Sequence, residues 1–298
     1  MPIKELNVDL SDRHTRVNVM GRREILSQAV EGNWATVFKG RGLEFTGYRP
    51  YTYSDDASLI DWKASLRSKE ILVREFEEFK NFKVAFFLDV SNSMLFTSTQ
   101  DPKLKAEYAA ELTFTLSEAA SQTGDAVGLF MFSQDVVAAI PPGFGKGMKK
   151  RFERVLGDKK NYGGERNLKR ALLEMNSMLS DRAIIVIISD FIGFPDDWER
   201  YISLLSTRHQ LYAIIIKDPR DRELPRFGGQ YSVMNPNGKD TMYIDAFNFA
   251  NKYKANNLEQ EKYILNVFKK FKSSCLVLEN GTPFSDALRK FFNTHAQA

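Results

Sequence analysis

Three short runs of this chain carry no charge and almost no polarity: residues 84–88 (VAFFL), 183–188 (AIIVII) and 211–216 (LYAIII). A half-buried strand alternates apolar and polar side chains. An unbroken apolar run of this length, rich in β-branched residues, predicts a strand covered on both faces. Stretches with helical character lie between and around the runs, at 103–122, 148–156, 168–179 and 197–207. In the first of them Leu104, Tyr108, Leu112, Thr115 and Leu116 fall near one stripe. Strands alternating with helices predict an α/β fold, a doubly wound and mainly parallel sheet with helices on both faces. Residues 126–132 read as another strand and 136–140 as its antiparallel neighbour, stopped by Pro141-Pro142-Gly143. Residues 218–239, punctuated by proline and glycine, read as a long loop holding a short hairpin, with 242–244 as a strand. A helix over 249–270, a last strand over 275–278 and a last helix over 284–292 complete the pattern.

The expected organisation is one sheet domain over 82–298 and an N-terminal extension, 1–81, too short and too punctuated for a core of its own. Within the extension, residues 22–30 read as a short helix ended by Glu31-Gly32-Asn33. With 43% hydrophobic and 27% charged residues, the chain has globular composition. The single cysteine, Cys275, excludes an internal disulfide and a cysteine-based zinc site. His14, His209 and His295 lie far apart, without the spacing of a metal-binding pair. The first twenty residues lack the apolar core of a signal peptide, and no apolar run is long enough to span a bilayer. The expectation is a cytoplasmic protein with no transmembrane segment. A net charge of +4 does not by itself indicate nucleic acid, and Lys146, Lys149, Lys150, Arg151, Arg154, Lys159 and Lys160 read as a solvated face.

Chemistry concentrates where the first buried run ends, in Asp89-Val90-Ser91-Asn92-Ser93. Open α/β sheets place ligands beyond the carboxyl ends of their strands. One carboxylate and two hydroxyls there are hard oxygen donors of the kind Mg²⁺ prefers. The same residues would also serve as an ordinary strand-to-helix turn with a serine cap. Ser189-Asp190 stands at the end of a later buried run. A second concentration, Arg49, Tyr51, Tyr53, Asp56, Asp61, Trp62 and Arg67, could be a partner surface or a network locking the segment in place. The glycine-, arginine- and aromatic-rich stretch 40–51 that leads into it predicts tight turns.

The Asp-x-Ser-x-Ser loop after the first sheet strand, with Ser189-Asp190 after a later one, resembles the von Willebrand factor A fold and its metal-ion-dependent adhesion site. Gly40-Arg41-Gly42-Leu43-Glu44-Phe45, Arg49-Pro50-Tyr51, Asp55-Asp56, Ile60-Asp61-Trp62-Lys63-Ala64-Ser65, Val73-Arg74-Glu75-Phe76, Ile188-Ser189-Asp190-Phe191 and Asp218-Pro219 narrow the resemblance. They look like the prokaryotic family catalogued as domain of unknown function number fifty-eight. The resemblance implies a metal site of Asp89, Ser91, Ser93 and Asp190, holding Mg²⁺ or another divalent cation. It implies a non-catalytic module that binds an acidic group of a partner protein, in a chaperone-like or assembly role beside a MoxR-type AAA+ ATPase. Many members carry two membrane spans at the amino end, which this chain lacks. One departure stands out. The second site loop usually reads Gly-Gly-Thr-Asn/Asp-Leu, and here it reads Gly163-Gly164-Glu165-Arg166-Asn167-Leu168. Arginine cannot ligate a cation. Either Arg166 points away and Glu165, Asn167 or water takes the threonine's place, or Arg166 pairs with Asp89 or Asp190 in a scaffold with a degenerate site. A metal-dependent hydrolase is the remaining alternative, weakly supported because no base accompanies Asp89 in the sequence.

Overall fold

The computed structural model describes residues 5–8, 10, 43–53, 55–68, 70–78, 82–98, 103–195, 197–224, 229–234 and 241–295. The expected helix over 22–30 and the glycines at 40 and 42 lie outside these residues.

The main sheet has six strands in the order β10-β7-β6-β3-β4-β5. These are β3 (Lys83–Asp89), β4 (Ala126–Phe132), β5 (Val136–Gly143), β6 (Ile184–Ser189), β7 (Gln210–Lys217) and β10 (Ser274–Glu279). All neighbours pair parallel except β4 and β5, which form an antiparallel hairpin at one edge. The expected doubly wound, mainly parallel α/β sheet is therefore the observed fold.

The continuous apolar runs follow from coverage on both sides. Val84, Phe86 and Leu88 of β3 face one core, with helices Lys105–Gln122 (α2) and Gly147–Gly157 (α3) and with Leu288 of Phe284–His295 (α8). Ala85 and Phe87 face a second core, with Leu168–Met178 (α4), Trp198–Arg208 (α5) and Ala246–Lys270 (α7). A strand between two such layers has no solvent face on which to place a polar residue. Leu6, Val8 and Leu10 of the N-terminal extension pack against the first core.

Ahead of the sheet, β1 (Leu43–Pro50) pairs antiparallel with β2 (Leu72–Glu78), and α1 (Trp62–Ser68) lies between them in sequence. The expected tight turns over 40–51 are replaced by a strand from Leu43 onward. Its glycine and arginine content conceals a ladder that only β2 completes, with a register irregularity between Phe45 and Gly47. A four-residue helix, α6 (Pro219–Arg222), follows β7; β8 (Gln230–Met234) lies within the stretch expected as a loop with a short hairpin, and it pairs with β9 (Thr241–Asp245), the strand expected over 242–244.

Candidate functional site

After β3 the chain crosses to β4 on one side, and after β6 it crosses to β7 on the other. The adjacent carboxyl ends of β3 and β6 thus form the point where the winding reverses, the crevice where open α/β sheets bind ligands. The register aligns Leu88 with Ile188, which brings Asp89, Ser189 and Asp190 together. Ser189 Oγ donates to Asp89 Oδ2 at 2.6 Å. Ser91 donates to Asp89 Oδ1 from its backbone N–H at 3.0 Å and from its hydroxyl at 2.7 Å. Asp89, Ser91, Ser93 and Asp190 are all buried, and the structure brings the four predicted residues to one place.

The centre of that place is Arg166. Its side chain is 1% exposed, although its backbone lies nearer the surface. Nη2 stands 2.8 Å from Asp89 Oδ2 and 2.9 Å from Asp190 Oδ1. The same nitrogen donates to Ser91 Oγ at 2.9 Å and also to Ser93 Oγ. Nε reaches Ser91 Oγ at 3.2 Å, and Nη1 donates to the carbonyl of Ile192. The Phe194 ring covers the guanidinium, its centroid 5.0 Å from Cζ. A cation over an aromatic face in a desolvated place is attracted by the ring quadrupole.

The loop that delivers Arg166 is anchored at both ends. Gly163 N–H donates to the carbonyl of Val90 at 2.7 Å, and Asn167 N–H to that of Ser133 at 3.0 Å. Between them Gly164 N–H donates to Asn92 Oδ1 at 2.8 Å. Gly163 and Gly164 take φ of +103° and +94°, which a side-chain-bearing residue adopts only with strain. Glu165 and Asn167 are exposed, and Asn167 caps α4 by accepting from Arg170 N–H.

These residues do not fit a metal ion. A divalent cation needs the space between the four oxygen-bearing side chains, with their lone pairs directed at it. That space holds a guanidinium nitrogen, and those oxygens accept its hydrogen bonds. Arg166 thus stands where the expectation places Mg²⁺, between Asp89, Ser91, Ser93 and Asp190. Of the arrangements the sequence leaves open, pairing of Arg166 with the aspartates is the one observed, and it involves both of them.

A second buried cation completes the cluster. Lys105, at the start of α2, is 1% exposed, and its Nζ lies 2.9 Å from both Asp190 Oδ2 and Asp221 Oδ2. Lys217, at the end of β7, donates to the backbone carbonyl of Asp190 at 2.6 Å. Burial disfavours the charged form of Asp190, but Lys105 and Arg166 outweigh it and hold its carboxyl well below the usual range. Burial likewise opposes the charges on Lys105 and Arg166. Asp190 and Asp221 reverse this for Lys105, Asp89 and Asp190 for Arg166, and both pKa values rise. Lys217 goes the other way, since burial exceeds the pull of its acidic neighbours. Sequence reasoning missed Lys105, Lys217 and Asp221. The available signal was that three parallel strands end in or just before an aspartate, at Asp89, Asp190 and Asp218, which calls for cations nearby.

The arginine and aromatic segment divides in two. Arg49 forms a two-pronged ion pair with Asp55, at 2.6 and 2.7 Å. Asp61 accepts from the backbone of Lys63 and Ala64 at the start of α1, and from Tyr48 Oη at 3.1 Å. Those residues are a structural network. Trp62, Leu66 and Tyr53 point outward and are exposed.

An uncharacterized protein of Mycobacterium bovis is 26% identical over 208 residues, which cover 69% of this chain. The chain spans 65% of the length of that relative. Among solved structures, a von Willebrand factor type A protein from Catenulispora acidiphila is similar at 12% identity and a TM-score of 0.38, covering 74% of this chain and 43% of that one. An aerotolerance-related membrane protein from Bacteroides fragilis is similar at 17% identity and a TM-score of 0.44, covering 73% of this chain and 99% of that one. That neighbour is described as a membrane protein, which runs against the expected cytoplasmic location and the expected lack of a transmembrane segment. No helix among the described residues is long and apolar enough to cross a membrane, which is a property of these helices and not of the protein's location. The match over residues 47–263 shows that the chain belongs to the family described as Protein of unknown function DUF58.

Proposed function

We propose that this protein is a non-catalytic protein-binding module that engages its partner through the arm formed by β1, α1 and β2. The observation that carries the reading is exposure: Leu66 is 85% and Trp62 65% exposed, Tyr53 is fully exposed, and Tyr48, Leu59 and Ile71 are partly exposed in the same segment. Isolated exposed apolar residues are ordinary, but aromatic and aliphatic side chains gathered on one short structured element mark interaction sites. The Arg49–Asp55 pair and the Asp61 cap hold this element in shape, which lowers the ordering cost of association. Lys63 and Arg67 are exposed beside Trp62 and Leu66, so the arm suits a partner with an apolar groove and an acidic rim.

The buried cluster supports a non-catalytic role. Asp89 and Asp190 each accept bonds from inside the chain through both carboxylate oxygens, and a general base needs one directed at a substrate. A MoxR-type AAA+ ATPase, in a chaperone-like or assembly role, is the partner class to test first.

The test is binding of such an ATPase to immobilised full-length protein, in Mg²⁺ and in EDTA. Wild type is expected to bind equally in both media. A Trp62→Ala/Leu66→Ala variant is expected to bind at least about 30-fold more weakly, as loss of two hot-spot side chains implies. Binding that EDTA abolishes and the double variant retains would overturn the reading.

A further inference from the structure

We infer that Arg166 and Lys105 are a permanent, chain-borne substitute for a divalent cation, and that the oxygen cage beneath Arg166 binds such a cation once the guanidinium alone is removed. The inference stands apart from the role of the arm.

Charge is the first argument. Asp89 and Asp190 bring two negative charges to the switch point. Arg166, in contact with both, and Lys105, in contact with Asp190, bring two positive ones. Lys105 is shared with Asp221, so without the guanidinium three carboxylates face one ammonium, and a divalent ion would balance the remainder. Geometry is the second. One nitrogen, Arg166 Nη2, lies at 2.8 Å from Asp89, 2.9 Å from Ser91 and 2.9 Å from Asp190, and also donates to Ser93. Two carboxylates and two hydroxyls converging on one point are a hard donor set suited to Mg²⁺ or Mn²⁺.

The carboxylates of the cage do not depend on Arg166 for their positions. Asp89 is held by the Ser91 N–H and the Ser189 hydroxyl, and Asp190 by the Ile192 N–H at 3.0 Å and by Lys105. The Arg166 loop is pinned through its backbone at Gly163, Gly164 and Asn167, so truncating the side chain leaves the loop in place. What remains is a buried, oxygen-lined hollow with an uncompensated negative charge, a strong reason to admit a cation.

The experiment uses the full chain and Mn²⁺ as probe, with stoichiometry read by electron paramagnetic resonance and stability by thermal unfolding. Wild type is expected to bind no stoichiometric Mn²⁺ and to have one Tm in Mn²⁺ and in EDTA. Arg166→Thr is expected to bind one Mn²⁺ per chain and to gain about 5 °C in Tm at a hundredfold excess over its Kd. Asp89→Asn added to that variant is expected to abolish the gain. Arg166→Thr that folds only in Mn²⁺ supports the inference. Arg166→Lys, which keeps a cation in the hollow, is expected to fold without metal and to ignore Mn²⁺. Wild type that binds one Mn²⁺ and loses it on Asp190→Asn overturns the inference, as does a folded Arg166→Thr chain that binds none, or an Arg166→Lys chain that binds as Arg166→Thr does.

Discussion

Replacing Lys105 by methionine tests whether the buried ion pairs stabilise the fold as their geometry implies. Methionine keeps a long flexible stem, so packing beside Phe96 is largely retained and the lost feature is the ammonium. Nζ lies 2.9 Å from two carboxylates, Asp190 being 0% and Asp221 10% exposed. Removing one partner of a buried pair leaves the other charged and uncompensated, which costs about 3–5 kcal/mol. For a chain of this size each kcal/mol corresponds to roughly 2–4 °C in Tm. The expected drop at neutral pH is therefore roughly 6–20 °C. Its pH dependence has a definite sign. The folded-state pKa of Asp190 lies below its unfolded value, so its ionised form stabilises the fold above the ordinary aspartate pKa of about 3.9. That contribution is lost as pH falls through the lowered value. Without Lys105 the lowering shrinks, so the gap between variant and wild type is full at neutral pH and narrows in acid. Urea unfolding of both proteins at neutral and acidic pH measures it. Adding Asp221→Asn is expected to recover part of the loss. A cost below about 1 kcal/mol, the usual scale of an exposed pair, or a cost that does not change with pH, would refute the reasoning.

Other substitutions test separate parts of the architecture. Gly164→Ala forces a side chain to φ +94°, with its Cβ 3.1 Å from Ser133 Oγ, and should lower stability by about 1–2 kcal/mol in denaturant titration. Phe87→Ala empties a fully buried site that packs edge-on against Phe130 at 5.3 Å and should cost about 3–5 kcal/mol by the same measurement. Trp62→Ala/Leu66→Ala should stay within about 0.5 kcal/mol per substitution of wild type in urea titration, because both side chains are exposed. Burial pushes the Cys275 thiol up to about 12, so it should react slowly with a thiol reagent at mildly alkaline pH and rapidly after unfolding.

The parallel strands were legible because burial on both faces leaves a direct mark in composition. Residues 84–88 and 183–188 have no polar position because neither side of β3 or β6 meets water. β1 was hidden because the bonds that make it a strand come from β2, about thirty residues away. The convergence of Asp89, Ser91, Ser93 and Asp190 was legible through the resemblance, which joins the ends of two buried runs in one site. The direction of Arg166 was not, because one residue in a loop that follows two glycines has no periodicity to orient it. Lys105 was hidden for a related reason. At the start of a helix a lysine ordinarily reaches solvent, and only the position of β6 and α6 turns this one inward.

The guanidinium of Arg166 is joined to the backbone by bonds that no chelator breaks and no dilution reverses. A module that borrows a dissolved ion can be disarmed by withdrawing it, and its partners must tolerate that dependence. Here the positive charge is inherited with the gene and present at one copy per fold, whatever the surrounding fluid contains. Any on and off in this protein's associations must therefore be exercised somewhere other than at the junction of β3 and β6.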